Sequence, residues 1–393
     1  MGRIGLYGGS FTPPHLGHIM AAQEVKKALH LDTVYMIPAS VPPHKELSSS
    51  APSAQSRYEM LQLAVAGLSG IEACDIELQR QGPSYSVDTL RQFRTRFPSE
   101  ELFLLMGTDM FYSFELWREF EAICQLATLV PFARTQDDQT LERHAQRLRA
   151  LYGARVEPVE NQVIDISSTQ VRRLLAFGCA ESYLSSEVAS YIHARRLYAT
   201  EGQLRDLPLK ALLEASLELA DSRRMSHVTG CFETARRLAR RYGADELLAA
   251  RAAALHDITK PLSAAHQLLL CERYGIILSN FETKNHKLLH AKTGAAVAQA
   301  IFGESQAVCD AILWHTTGRA EMTILEKVIY LADFIEPSRH FEGVDSIRTL
   351  AQQDLDEALR QALTLSLQWL RRDGKPLDPN SVQAREFLIK KGF

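Results

Sequence analysis

A chain of 393 residues exceeds what one hydrophobic core ordinarily organises, and 46% hydrophobic with 23% charged residues predicts a globular protein of two domains. No apolar run reaches the roughly 18 residues a membrane span needs, and the opening MGRIGLYGG lacks signal-peptide architecture, so a cytoplasmic protein without membrane partners is expected. A formal charge of −3 offers no general attraction for nucleic acid, which leaves small phosphorylated molecules as the partners to look for.

From residue 3 to about 165, short β-rich runs alternate with helical patterns. RIGLYGG, TVYMIPA, IEACDIEL, ELFLLMG and ATLVPFAR are the runs, and the segments between them carry helix-like periodicity. That alternation predicts an α/β, Rossmann-like parallel sheet flanked by helices, with ligands beyond the carboxyl ends of its strands. The loop SVPPHKELSSSAPSAQ, rich in Pro and Ser, is expected to cover a substrate. After about residue 200 every patterned stretch is helix-periodic, which predicts an all-α second domain. The join falls near RRLYATEGQLRDLP, giving domains 1–200 and 205–393. Cys74, Cys124, Cys179, Cys231, Cys271 and Cys309 lie far apart without C-x-x-C pairing and read as buried thiols in a reducing compartment.

Two stretches of the first domain carry chemistry. In GLYGGSFTPPHLGH, Gly8 and Gly9 allow a tight turn after the first strand, and Pro13 and Pro14 hold off the helix until about His15. His15 and His18 then share one face of the first helical turn, where backbone N–H groups and imidazoles can both hold a polyphosphate. In IDISSTQVRRLL a Ser-Ser-Thr cap precedes a helix containing Arg172, which predicts a second phosphate clamp. As isolated features, a glycine turn and a capping serine are more often structural.

The pair GGSFTPPHLGH and ISSTQVR resembles the signature of the bacterial nicotinate mononucleotide adenylyltransferases, within the H-x-G-H nucleotidyltransferases. PPHK, SYSVDTL, GTDMFYSFELWREFEAI and ASYIHARRLY extend the likeness. The resemblance implies transfer of AMP from ATP to nicotinate mononucleotide, releasing pyrophosphate, with Mg²⁺ accompanying ATP. It implies that His15 and His18 stabilise the transition state, with Lys45 and Arg172 also on phosphate. Gly8, Gly9, Ser10, Phe11 and Ser86 belong to the implied substrate site. Trp117 would lie against the nicotinate ring, and Gly107, Asp109, Ile166, Ser167, Ser168 and Thr169 near the adenosine. The chain departs from relatives in LVPFARTQDD, where an Arg-Pro-Gly-like turn is common, and at Ser185, where proline is common.

In the second half, His227, His256-Asp257, His290, His315 and Asp333 sit in otherwise apolar or small-residue helical segments. Several buried imidazoles and carboxylates call for a shared partner, and a ligand set without thiolate suits iron, manganese, cobalt or zinc. Six ligands exceed one ion's share, so Asp257 is expected to bridge two metals.

The order His … His-Asp … His … His … Asp resembles the HD superfamily of phosphohydrolases. HDITK, HTTGRAEMT, LEKVIYLADFIEPSRHFEGV and LDPNSVQAREFLI narrow the likeness to the symmetrical diadenosine tetraphosphate hydrolases. That resemblance implies cleavage of diadenosine tetraphosphate to two ADP at two iron ions. One ion would take His227, His256, Asp257 and Asp333, the other Asp257, His290 and His315. Asp257 and Lys260 would serve catalysis, and Lys260, Arg319 and Arg339 the polyphosphate. His286, one turn before His290, is expected to be solvated or to support a ligand. Hydrolysis of another nucleotide, a nucleotide-sensing role for the second domain, and homo-oligomerisation all stay open.

Overall fold

The computed structural model describes residues 2–43, 51–132, 138–160 and 166–392. The chain divides into two compact units, Met1–Thr200 and Glu201–Phe393.

The first unit holds a five-stranded sheet with strands β1 (Arg3–Gly9), β2 (Thr33–Pro38), β3 (Ile71–Ala73), β4 (Glu101–Gly107) and β5 (Thr128–Phe132). All pairings are parallel, in the order β3-β2-β1-β4-β5. Helices cover both faces, so the central strands bury both sides; six successive residues of β4 are buried. Leu6, Leu104, Val87 and Phe93 belong to the core on one face, and Tyr7, Leu105, Val25 and Leu61 to that on the other. The run IEACDIEL yields only the three residues of β3: the Cys74 amide still donates to the Met36 carbonyl at 2.9 Å, and the chain turns at residues 76–79.

From β1 the chain first builds outward through β2 and β3, then returns to add β4 and β5 on the opposite side. The strand order therefore reverses between β1 and β4, the place where open α/β sheets leave a crevice for ligands. Gly8 and Gly9 lie on one side of that crevice and Gly107 on the other.

Contrary to the expectation from sequence, Gly8 and Gly9 are not the turn. They are the last residues of β1, in register with Ile37 and Pro38. The left-handed residue is Phe11, with φ 44°. Gly8 matters instead for its missing side chain, since a Cβ there would meet nothing within 4 Å and would project into open space.

The described residues of the second unit form helices and no strands. Helix Met225–Tyr242 ends on Gly243, whose φ of 72° supplies the left-handed stop that glycine takes without strain. Helix Glu246–Leu255 is Ala-rich, with all five alanines and Leu255 buried, and lies against Met225–Tyr242 and Ile324–Ile335. Small side chains let these three helices approach closely, which brings residues at their ends together. Asp245 caps Glu246–Leu255 by accepting from the Leu247 and Leu248 amides at 2.8 and 3.0 Å. Asp245→Ala is expected to lower the stability of the second unit by about 0.5–2 kcal/mol, read as an earlier midpoint in its urea unfolding transition.

Candidate active sites

In the first unit the switch point opens into a cavity of about 440 Å³. Gly8, Gly9, Ser10, Phe11 and His18 line one side, Gly107, Asp109 and Trp117 another, and Ser86 and Ser167 to Thr169 complete the expected set. Ile166 is buried and does not line it. His15 is buried behind His18, with the two rings stacked at 3.6 Å between centroids.

Helix Leu16–Ala28 begins at this point with His15 as its N-cap. The His15 amide donates to His18 Nδ1 at 3.2 Å, so His18 fills the place an acidic side chain takes in an ordinary capping box. That bond fixes the tautomer. In a neutral imidazole whose Nδ1 accepts, the proton resides on Nε2. His18 can therefore offer an N–H donor to an anion in the cavity, and the edge of the Phe11 ring, 5.0 Å away, holds the imidazole in place.

The Ser-Ser-Thr segment meets the first motif, but in a different way from that expected of a clamp. Ser167 caps helix Ser168–Ala176 through a reciprocal capping box with Gln170. Ser168 Oγ donates to the Pro13 carbonyl at 3.2 Å, and Arg172 donates to the Thr12 carbonyl at 2.7 Å and to Thr169 Oγ1 at 3.1 Å. Arg172 thus braces the loop that carries the histidines and does not line the cavity. Carbonyl oxygens left over by a proline-rich turn, which cannot pair in a helix, capture the nearest strong donors. Lys45 and the middle of the loop SVPPHKELSSSAPSAQ lie outside the described residues. So does most of ARTQDD, whereas Ser185 caps helix Ser186–Arg195.

Three further residues bear on this site and were not singled out from the sequence. Arg118 lines the cavity and stacks over the Tyr85 ring at 4.6 Å. Glu77 also lines it, and burial pushes its carboxyl up while a 2.6 Å bond from Thr89 and the nearby Arg80 oppose that. Arg57 is 1% exposed and grips the same loop from beneath.

In the second unit the predicted ligands converge. The Asp257 carboxylate is the centre: its Oδ2 lies 3.4 Å from both His227 Nε2 and His256 Nε2, and its Oδ1 3.3 and 3.6 Å from His290 and His315 Nε2. Asp333 Oδ1 joins the first set at 3.2 Å from His227 Nε2 and 3.9 Å from His256 Nε2. Within these residues, His227, His256 and Asp333 form one ligand group by distance, and His256, Asp257 and His315 another.

Every imidazole commits its Nδ1. His256, His290 and His315 each place it 2.6–2.7 Å from the carbonyl three residues earlier, on Ala253, Lys287 and Ile312. His227 places it 3.0 Å from Glu336 Oε1. Each Nδ1–H donated in this way leaves a lone pair on Nε2. Yet the Nε2 atoms of His227 and His256 are 3.2 Å apart, as are those of His290 and His315. Facing lone pairs repel at that distance unless positive charge lies between them. Two nitrogens about 2.1 Å from one ion, spread by roughly 100°, stand about 3.2 Å apart, so the donor set fits a metal pair.

The electrostatics agree. Burial alone would push the Asp257 carboxyl up, but His256, His227 and His290 outweigh it and hold the group well below its usual range. Burial draws the His227 imidazole down, yet Asp257, Asp333 and Glu336 overcome this and carry it to about 9, so positive charge is favoured at this nitrogen. Cys231, one turn further along, is fully buried and its thiol is pushed up, so it adds no thiolate.

Lys260 Nζ is 3.1 Å from Asp257 Oδ2, and Arg339 Nη2 is 2.5 Å from Asp333 Oδ1, so both stand beside the cluster. Arg224, unforeseen from the sequence, also contacts Asp257 Oδ2. Arg319 stands apart from these three: it is bidentate on buried Glu326 at 3.1 and 2.9 Å, within the capping box of helix Ile324–Ile335. His286 is exposed and belongs to neither ligand group.

Glu336, which holds His227, was invisible in the sequence, although a neighbour gave a hint. Gly230 interrupts helix Met225–Tyr242 one turn after His227, and a Cβ there would lie 2.6 Å from Glu336 Oε2. In an open helix, Gly→Ala stabilises by about 1 kcal/mol. Here Gly230→Ala is expected to destabilise the second unit and to lower its metal content after reconstitution, measured by unfolding and by elemental analysis.

The comparisons with known proteins divide at the same place as the fold. A cytidylyltransferase-like family model matches residues 6–174, and an HD domain model matches residues 224–338. A protein of Desulfatibacillum aliphaticivorans named as a probable nicotinate-nucleotide adenylyltransferase is 36% identical over 217 residues, spanning 50% of this chain and 99% of its own. A protein of the same name from Shewanella sp. (strain MR-7) is 38% identical over 212 residues, with 50% and 99% covered. A crystal structure from Clostridium acetobutylicum, described as a predicted HD superfamily hydrolase involved in NAD metabolism, is 34% identical, with 47% of this chain and 98% of that chain covered and a TM-score of 0.46.

Proposed function

Through its first half the chain belongs to the nicotinate-nucleotide adenylyltransferase family, and from that premise we propose a bifunctional enzyme: adenylyl transfer in the first unit, symmetrical hydrolysis of diadenosine tetraphosphate in the second. In the first reaction a 5′-phosphate oxygen of nicotinate mononucleotide attacks the α-phosphorus of ATP. The bond from that phosphorus to the α,β-bridging oxygen breaks, and pyrophosphate leaves. The nucleophile is already an anion, so no proton has to be removed. Negative charge builds on the bridging oxygen instead, and a fixed donor there lowers the barrier.

The observation that carries this reading is the His15 amide bond to His18 Nδ1, which leaves an Nε2–H beside the glycine end of β1. His15 backs that imidazole. Trp117 offers an aromatic face for the pyridine ring, and Ser167, Ser168 and Thr169 offer hydroxyls for the nucleoside. Glu77 is engaged with Thr89 and Arg80, so among the described lining residues Asp109 is the remaining carboxylate. Magnesium is therefore expected to arrive on the phosphates of ATP rather than in a protein cage.

For the second unit the reading rests on the division of Asp257 between two imidazole sets. His227, His256, Asp257 and Asp333 would hold one ion, and Asp257, His290 and His315 the other. A metal pair so held supplies an activated water and neutralises phosphate oxygens. Nitrogen and carboxylate ligands suit iron, our expected metal, as well as manganese, cobalt or zinc. Lys260, Arg339 and Arg224 would steer a polyphosphate chain towards the cluster.

The test is product identification with the full-length chain given ATP plus nicotinate mononucleotide and, separately, diadenosine tetraphosphate. His18→Ala is expected to lower dinucleotide synthesis by about a hundredfold or more while sparing ADP formation. Asp257→Ala should do the reverse. Loss of both activities in one folded variant would contradict separate sites, and tight binding of diadenosine tetraphosphate without any ADP would favour a sensing role for the second unit. Trp117→Ala should raise KM for nicotinate mononucleotide more than for ATP, since ring stacking contributes about 0.5–1.5 kcal/mol beyond burial.

A further inference from the structure

Arg57 is the largest of the fully buried side chains, and it lies directly beneath the loop that carries the histidines. It comes from the first turn of helix Ala54–Val65, which Ser53 caps. Its guanidinium donates to three backbone carbonyls: Nη1 to Ser10 at 2.8 Å, Nη2 to Ser40 at 3.2 Å and Nε to Pro52 at 3.4 Å. Ser10 follows β1 and Ser40 follows β2, so one planar group joins the ends of two adjacent strands. Among the described residues no carboxylate pairs with it. A buried cation without a counter-ion is costly, and stability alone would favour an apolar side chain of similar size.

Of the three residues it holds, Ser10 lines the cavity, as do its neighbour Phe11 and Ala39, which precedes Ser40. The Ser10–Phe11 peptide is trans, because the one cis bond among the described residues is Thr12–Pro13. In a trans peptide the C=O and the next N–H point in opposite directions. With the Ser10 carbonyl taken up by Arg57, the Phe11 amide points away from the guanidinium, and Ser10, Phe11 and His18 are all among the residues that line the cavity. Phe11 sits at φ 44°, a conformation a non-glycine residue holds only when its surroundings impose it.

We propose that Arg57 is a positioning residue for adenylyl transfer: it aims the Phe11 amide at the triphosphate and places an unpaired positive charge behind it. The inference rests on the adenylyl-transfer reading of this cavity. It assigns Arg57 to the ATP end of the site and not to the pyridine end, where Trp117 lies. The guanidinium fork suits this task because it reaches the Ser10, Ser40 and Pro52 carbonyls from three separate nitrogens in one plane, a spread that the single nitrogen of an ammonium group does not reproduce.

The test compares Arg57→Met and Arg57→Lys in the full-length chain. Arg57→Met keeps the bulk and removes the charge. It is expected to raise KM for ATP and to lower kcat by about tenfold or more each, with KM for nicotinate mononucleotide within about threefold of the parent. Inhibition by inorganic pyrophosphate should weaken in step with ATP. Arg57→Lys keeps the charge but reaches one carbonyl, and should show the same ATP-selective defect at reduced size.

A folded Arg57→Met whose constants for ATP and pyrophosphate stay within twofold overturns the proposal, as does an equal rise in both KM values. If Arg57→Met fails to fold, Arg57→Lys decides: an ATP-selective defect supports the role, and parental constants overturn it. A parent chain that turns over neither substrate overturns the reaction reading and the proposal with it, and is recognised before any variant is made. Metal content of the second unit should be unchanged throughout.

Discussion

Both sites depend on one constraint: an imidazole is aimed by giving its Nδ1 to the backbone. In the first unit Nδ1 of His18 receives an amide proton, because the start of a helix has N–H groups to spare. In the second unit Nδ1 of His256, His290 and His315 meets a carbonyl three residues earlier. The consequences are opposite. The first arrangement leaves a proton on Nε2 and suits a developing negative charge. The second leaves a lone pair there and suits a cation. One residue type thus serves two chemistries, and local backbone geometry decides which.

Around each site the same economy governs the cations. Proline-rich backbone at Thr12–Pro14 has carbonyls that no helix or strand can satisfy, and Arg172 and Ser168 take up those of Thr12 and Pro13, while Arg57 takes up that of Ser10 just before them. The histidine–aspartate cluster has negative charge in Asp257 and Asp333, and Arg224, Lys260 and Arg339 gather on it. Which arginine faces a ligand and which braces the scaffold is decided by the nearest acceptor, not by its place in a motif.

That rule marks where the sequence was legible. The parallel sheet followed from the alternation of short apolar runs with helical periods, and the helical second half from the absence of such runs. The six clustered histidines and aspartates could be picked out because imidazoles and carboxylates in apolar helices call for a shared partner. The partners of Arg172 and Arg319 were not legible, since each has a hydrogen-bond acceptor nearby in space that the chain pattern does not reveal: the Thr12 carbonyl for one, Glu326 for the other. Arg57 and Glu336 were missed for the converse reason. Each looks like an ordinary charge on an amphipathic helix until tertiary packing buries it against its partner. A glycine inside a helix was the lone trace of Glu336.

The braces of the first loop also come from far along the chain. Its sheet is complete by Phe132, whereas Ser168, Arg172 and Tyr198, whose hydroxyl meets Thr12 Oγ1 at 3.1 Å, come later. During synthesis the nascent polypeptide therefore carries a finished sheet well before its earliest-made loop acquires all its supports. These contacts span more than 150 residues, so none of them can form until the end of the first unit has been made. A ribosome stalled in between therefore displays strands β1 to β5 with the histidine loop still lacking these three supports.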